Sequence, residues 1–471
     1  MGLSDRTLGS VRRIHLMGIG GAGMSGLALL LSELGYSVSG CDVNRTSYVE
    51  KVLQKGITFE QGHQKQHIDS FDPDLVVYSS AIPFDNEELK EAIDRGIAVA
   101  KRAEVLSWLF NSRIGIGIAG THGKTTTSSM IAMVLEQGGF EPSVAIGGEL
   151  CDIGVNAKLG EGPYIVAELD ESDGSFKEFK PEISVVTNAD WDHVDHYPDL
   201  ESVISAFSSF IDNTKPGGTA VLCGEDVGVS SILKDKSFMG RKVLTYGFGK
   251  AWDWGAFDIR HNRGGGVSFS VRNDDKFISD IHLSVSGDHN VLNALAATAV
   301  ATELSIPVSS VVETLKDFRG AKRRLQYMGN IADVDIYDDY GHHPREVAAT
   351  LNTLKQMFPD RRQIVIFQPH RYTRTQAMYK EFSDVLNSAD KLFLIPIYSA
   401  DEEPIDGVSS DLILNYLIST GYADCQLCQG LFEAAEFVSR DLRKGDIVLT
   451  IGAGNVSEVG KIILDGQVLK D

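Results

Sequence analysis

Two stretches of the 471-residue chain combine residue types and spacing suited to holding phosphate. In HLMGIGGAGMSGLA, residues 15–28, Gly18, Gly20 and Gly23 follow an apolar run with the spacing G-x-G-x-x-G and precede a helical one. Glycines there let the backbone turn tightly and bring its N–H groups, and a helix N-terminus, up to a diphosphate. Gly21 lies inside the same turn. Asp42 ends the next apolar run, where a carboxylate can reach a ribose hydroxyl, as in nicotinamide dehydrogenases.

The second stretch is GIAGTHGKTTT, residues 117–127. Gly120, Thr121, His122 and Gly123 form a turn between a strand and a helix; Lys124 is placed to neutralise outer phosphates and the Thr125 hydroxyl to reach Mg²⁺, with Thr126 beside it. The strict nucleotide-loop spacing fails, because Ile118 stands where its first glycine belongs. A bare glycine turn would not need Gly-Lys-Thr-Thr at a helix start, so a phosphate loop is the stronger reading.

Further chemistry follows the later strands. VAELDESDGSF and VTNADWDHVDHY each end an apolar run in carboxylates and, in the second, histidines. Neighbouring parallel strands that end this way face one crevice, and Mg²⁺ needs only one or two such hard ligands beside substrate phosphates. Zinc is disfavoured, since His193 and His196 lack thiolate or further imidazole partners in the sequence. GDHNVLNALAA puts His289, Asn290 and Asn293 on the first turns of a helix. There asparagine amides can either cap the helix or pair with adenine's N6 and N7. DDYGHHP and QPHRYTRT follow two more strands; Arg371 and Arg374 suit carboxylate or phosphate recognition, or are plain surface arginines.

The elements that must position these groups alternate strand and helix, which predicts α/β architecture with largely parallel sheets. Three sections are expected: a Rossmann-like N-terminal domain at 1–112, a central phosphate-loop domain at 113–320, and a Rossmann-like C-terminal domain at 321–471. The central one should combine a mostly parallel sheet with a small antiparallel sheet, to which KVLTYGFG, WGAFDIR, GVSFSV and ISDIHLSVS are assigned. The basic stretch FRGAKRRLQ, 318–326, is the expected link into the last section.

Bulk properties narrow the partners. A formal charge of −21 argues against nucleic acid and anionic membranes, and means that phosphates must be held by local devices. No apolar run approaches the ~20 residues of a membrane span, and MGLSDRTLGSVRR lacks a signal-peptide core, so a cytoplasmic protein is expected. Five scattered cysteines, Cys41, Cys151, Cys223, Cys425 and Cys428, suggest reduced thiols, with CQLC read as part of a short strand. The oligomeric state is left open between monomer and dimer.

From GTHGKTT onward, the motifs in their order resemble the ATP-dependent Mur ligases over nearly the whole chain. The resemblance implies ATP and Mg²⁺, with Thr125, Glu168 and His193 as metal ligands and Lys124, Arg371 and Arg374 joining Glu168 and His193 as catalytic groups. It implies that His289, Asn290 and Asn293 lie around adenine, that Arg324 is a nucleotide contact, and that Asp339 lies near the ATP ribose and phosphates. Tyr340, His342 and His343 would border the amino-acid pocket. Gly18, Gly20, Gly21, Gly23, Asp42, Ser79 and Ser80 would hold a UDP-sugar, so both glycine loops become diphosphate sites and no redox cofactor is needed. The absence of a lysine between His196 and Lys215 agrees with the alanine-adding branch, which joins L-alanine to UDP-N-acetylmuramate. Three alternatives stay open: a recycling ligase that adds a tripeptide, an NAD-dependent dehydrogenase, and a non-catalytic nucleotide sensor. Closure of the sections on loading is expected, with Arg371 far from Lys124 beforehand.

Overall fold

The computed structural model describes residues 10–147 and 156–466, apart from 173, 195, 236, 239, 401 and 423. Cys151 lies outside the described residues; Cys41, Cys223, Cys425 and Cys428 are free thiols.

The chain builds three sheets in succession. The first has five parallel strands in the order Thr58–Gln61, Ser37–Asp42, Arg13–Met17, Leu75–Tyr78, Ala98–Lys101. Strand order reverses on either side of Arg13–Met17, and a ligand crevice opens at the carboxyl ends of strands at such a switch point. The helix Ala22–Glu33 begins there and buries Leu27, Leu29, Leu30 and Leu31. The edge strand Thr58–Gln61 was not anticipated: four residues, TFEQ, none fully buried, carry too little apolar pattern.

The second sheet has ten strands and centres on Ile114–Ala119, flanked by Tyr164–Glu168 and Ile183–Val186, both parallel to it. A phosphate loop leaving the central strand is therefore bordered by whatever ends its two neighbours. The helices Lys124–Gln137 and Asp288–Glu303 lie against each other over a shared apolar core. The run at 242–248 departs from expectation, because Lys242–Phe248 pairs parallel with Thr219–Cys223, and Trp254–His261 begins parallel to it. From Trp254–His261 through Val267–Asn273 to Lys276–Leu283 the pairing is antiparallel, as an extension of the same sheet, and at its other edge Ser143–Ala145 pairs antiparallel with Ala157–Lys158. Alternation along a strand reports which face is buried, not the direction of its neighbour.

The third sheet runs Gln326–Ile331, Val334–Asp339, Ile447–Ile451, Gln363–Phe367, Lys391–Leu394, Cys425–Leu427. All pairings are parallel except the first hairpin.

The central and C-terminal sections are in contact, contrary to the expected separation. Trp191 and Val194 pack on the C-terminal core, and the buried Arg374 donates to Asp192 Oδ1 from Nε at 3.0 Å and from Nη2 at 2.8 Å. The first and central sections also touch: Asn156 donates to the Ala22 carbonyl, and Leu159 N–H to Glu33. Among the described residues no helix is long and apolar enough to cross a membrane.

Candidate active site

The first glycine loop closes on its neighbours at van der Waals range. Gly18 has φ +87°, and a Cβ there would meet Ser79 Cβ at 3.0 Å. A Cβ on Gly20 would meet Asp42 Oδ2 at 2.8 Å. Glycine is required at both for lack of room, and at Gly18 also for its backbone angle. Asp42 Oδ2 accepts from Gly20 N–H at 2.9 Å and Oδ1 from Asn44 N–H at 2.8 Å, so this carboxylate braces the loop. Gly21 caps the helix Ala22–Glu33 without a side chain. Ser79 and the exposed Ser80 follow the neighbouring strand, and Arg102 lies against Gly23, its Nη1 3.1 Å from where a Cβ would stand.

The second loop is built the same way but carries charge. Gly120 has φ +142°, and a Cβ there would lie 2.0 Å from Thr187 Oγ1; Gly123, at φ +79°, abuts Asn293. Thr121 exchanges hydrogen bonds with Asp190, and Asn188 Oδ1 accepts from His122 N–H at 2.7 Å. Lys124 folds back over the turn, donating to the carbonyls of Gly120 and Thr121 and, at 2.8 Å, to Glu171. Burial opposes its charge, but Glu171 and Asp170 outweigh that and raise its pKa above the ordinary lysine value. Thr125 Oγ1 lies 3.0 and 3.1 Å from the two oxygens of Glu168, which also accepts from Gly147 N–H. Thr126 begins the buried face of the helix.

Asp170, Glu171 and His193 converge, with ligand atoms all within 4.8 Å of one another, and Glu171 Oε1 is buried without a hydrogen-bond partner. Carboxylates, a threonine hydroxyl and one imidazole form a donor set that fits a hard divalent cation such as Mg²⁺. His193, at φ +52°, is thus grouped with Asp170 and Glu171, while Glu168 is tied to Thr125 and Gly147.

Two cavities meet this centre. One, of about 690 Å³, takes in His122, Gly123, Thr125, Thr126, His289, Asn290, Asn293, Arg324 and Asp339, and it suits a nucleotide. The asparagines are bound to each other and to the loop's helix: Asn293 Nδ2 donates to Asn290 Oδ1, Thr127 donates to Asn293 Oδ1, and Asn290 Nδ2 donates to the Ser286 carbonyl. Their amides therefore hold two helices together besides facing the cavity. Burial pushes the His289 imidazole down to about 4 and the Asp339 carboxyl up to about 6. Asp339 accepts from Leu325 N–H and Gly341 N–H. The second cavity, of about 250 Å³, runs from Gly21, Gly23 and Ser79 past Arg102 and Asn156 to Glu168 and Asp170.

The third section closes over the loop through Glu346. This partly buried carboxylate accepts from His342 N–H and His343 N–H, and lies 3.3 Å from Arg324 and 3.4 Å from His122. Burial opposes the charge on His122, yet its hydrogen bonds to Asp190 and Glu346 prevail and lift it to about 9. Burial pushes His342 and His343 the other way, to about 4. His343 caps the helix Pro344–Met357, and its Nε2 lies 3.3 Å from the Trp191 carbonyl. Tyr340 receives the guanidinium groups of Arg323 and Arg324 over its ring. Arg371 opens the helix Tyr372–Leu386 at φ +71°, with its guanidinium 3.9 Å from Glu402.

Arg102, Asn156, Glu171, Asp190, Asp192 and Glu346 escaped the sequence reading. Glu171 and the two aspartates stood inside quoted motifs, and Arg102 directly follows the strand Ala98–Lys101. Asn156 had no local signal, since only the fold carries it to Ala22.

Family models match each section: "Mur ligase family, catalytic domain" at residues 13–113, "Mur ligase middle domain" at 118–301, and "Mur ligase, glutamate ligase domain" at 323–454. The UDP-N-acetylmuramate–L-alanine ligase of Carboxydothermus hydrogenoformans is 44% identical over 96% of this chain and 96% of its own length. That of Desulfosudis oleivorans is 43% identical over 96% of this chain and 98% of its own. The crystal structure of the UDP-N-acetylmuramate–alanine ligase of Thermotoga maritima superposes with a TM-score of 0.82 at 29% identity, covering 98% of this chain and all of that one. The chain belongs to the Mur ligase family.

Proposed function

We propose that this protein joins L-alanine to the carboxylate of UDP-N-acetylmuramate with hydrolysis of ATP to ADP and phosphate. One observation carries the reading: Glu168 lines the cavity that starts at the first glycine loop, and the same carboxylate is hydrogen-bonded to Thr125 of the second. Two diphosphate sites thus converge on one carboxylate-rich centre, which a ligase needs and a dehydrogenase does not. The curated relatives of matching length, named for this reaction, support it.

In this reading residues 1–112 hold the UDP-sugar through Gly18, Gly20, Gly21, Gly23, Ser79 and Ser80, with Asp42 bracing the turn. Residues 113–320 hold ATP, and residues 321–471 bring in the amino acid. The muramyl carboxylate attacks the γ-phosphorus, ADP leaves, and an acyl phosphate forms; the alanine amine then attacks the acyl carbon and expels phosphate. Such phosphoryl transfer needs alignment and charge neutralisation above all. Lys124, poised over the loop by two carbonyls and Glu171, supplies a cation at the γ-phosphate by exchanging one of those contacts for it. Mg²⁺, for which Thr125 and Glu168 on one side and Asp170, Glu171 and His193 on the other offer ligands, would neutralise the remaining phosphate charge. His342 and His343, held neutral by burial, border the amino-acid pocket with Tyr340 without repelling an ammonium group. Arg374 keeps the third section closed, which shields the acyl phosphate from water.

Phosphate release from ATP with UDP-N-acetylmuramate, compared across L-alanine, glycine, L-serine and an alanyl-glutamyl-diaminopimelate tripeptide, tests the proposal. Fastest turnover with L-alanine is expected. Preference for the tripeptide would make the protein a recycling ligase, and no turnover with any of them would overturn the reading.

A further inference from the structure

We infer that the first section carries a metal site of its own, remote from the reacting groups, in which His15, Cys41, His67 and Glu88 bind zinc or a cation of its class. His15 and Cys41 lie on adjacent strands, His67 in the helix Gln66–Phe71 and Glu88 on the first turn of Glu87–Asp94. All four are buried, and their ligand atoms lie within 4.8 Å of one another. His15 Nε2 is 2.8 Å and His67 Nδ1 3.2 Å from Glu88 Oε1, and Cys41 Sγ is 3.2 Å from Oε2. A tetrahedral zinc with bonds of 2.0–2.3 Å sets its donors roughly 3.3–3.8 Å apart, which the contacts of 2.8–3.2 Å to Glu88 reach by opening about half an ångström.

The charge balance points the same way. Met17, Ile68, Val76, Leu89 and Ala92 form an apolar cluster with Cys41. The printed polar neighbours of Glu88 are His15, His63, His67, Cys41 and the Gln64 N–H. A buried carboxylate needs a compensating cation. One divalent ion with the Glu88 carboxylate, the Cys41 thiolate and two neutral imidazoles is neutral overall. The surroundings are also those of a held ligand set: His15 Nδ1 is 2.7 Å from Ser39 Oγ, which fixes the ring with Nε2 turned toward Glu88, and Gln64 N–H donates to Glu88 Oε2 at 3.0 Å. His63 Nδ1 stands 3.1 Å from Cys41 Sγ as an outer partner.

Binding would stiffen the first glycine loop, because the Cys41 carbonyl accepts from both Gly18 N–H and Ile19 N–H, at 2.8 and 3.1 Å. Any effect on UDP-sugar affinity rests on the function proposed above; the metal site itself does not.

The test loads the full-length protein, stripped with a chelator, with one equivalent of Co²⁺ or Zn²⁺. Co²⁺ should give a thiolate-to-metal charge-transfer band that disappears in Cys41→Ser. Binding should weaken by more than the roughly 10–100-fold typical of outer-partner changes in His67→Asn. X-ray absorption of the zinc-loaded wild type, which needs no variant to fold, should show one sulfur and three nitrogen or oxygen neighbours. No sulfur would place the ion at one of the carboxylate–imidazole clusters, and two sulfurs at Cys425 and Cys428; either result, or a band that survives in Cys41→Ser, overturns the proposal.

Discussion

The two glycine loops are one backbone device used in two chemical settings. Both leave the carboxyl end of a parallel strand, turn through glycines that have no room for a Cβ, and open a helix. The first contains no ionisable side chain between Gly18 and Met24, and it is braced from outside by Asp42. The second carries His122 and Lys124 inside the turn, and its neighbours contribute Glu168, Glu171 and Asp190. The difference separates holding from reacting. Backbone N–H groups suffice to seat a diphosphate that stays intact, whereas a phosphoryl group in transfer needs movable charge matched by fixed counter-charge.

Removing the charge should separate the two loops most sharply. Lys124→Ala is expected to lower turnover by roughly 10³-fold or more, about 4 kcal/mol in the barrier, while UDP-sugar binding changes little. Phosphate-release kinetics beside calorimetry with the UDP-sugar check this; equal loss in both would merge the two sites.

The ion pair that closes the third section over the second loop comes next. Arg374→Ala leaves Asp192 buried without its partner, at a cost of about 3–5 kcal/mol, whereas Arg371→Ala, a third exposed and 3.9 Å from Glu402, should cost about 1 kcal/mol or less. Denaturant midpoints measure both, and equal shifts would contradict the structure.

Steric closure comes third. Gly120→Ala forces a Cβ to 2.0 Å from Thr187 at φ +142° and should destabilise by about 2–3 kcal/mol; Gly20→Ala meets the Asp42 carboxylate and the Asn44 carbonyl at an ordinary backbone angle and should lose about 1 kcal/mol, read mainly as weaker UDP-sugar binding.

A further contrast is in pH. His122, lifted from 6.5 to about 9, contributes stability that is complete below pH 6.5 and lost as pH rises through 9. A stability profile of His122→Gln should flatten across that window, and UDP-sugar binding at the first loop should show no matching step.

Much of the layout was legible because its signals are local. Strand runs such as WGAFDIR and GVSFSV, and the glycine spacings, depend on residues a few positions apart. The counter-charges were not legible for the opposite reason. Asp192 finds Arg374 across 182 positions and His122 finds Glu346 from a different sheet, and no periodicity records such pairs. Asn290 and Asn293 show an intermediate case: their helical face could be read, but their bond to Thr127 of another helix could not.

The sequence alone therefore determined the three α/β sections, the two phosphate turns and their residue types, because backbone conformation and amphipathic period are set within a few residues. Tertiary structure alone decided which carboxylate faces which cation: that Lys124 rests on Glu171, that Glu168 stands between the loops, and that His15, Cys41, His67 and Glu88 share one buried point. Those choices depend on which strand ends become neighbours, and sheet order is settled by packing the whole chain.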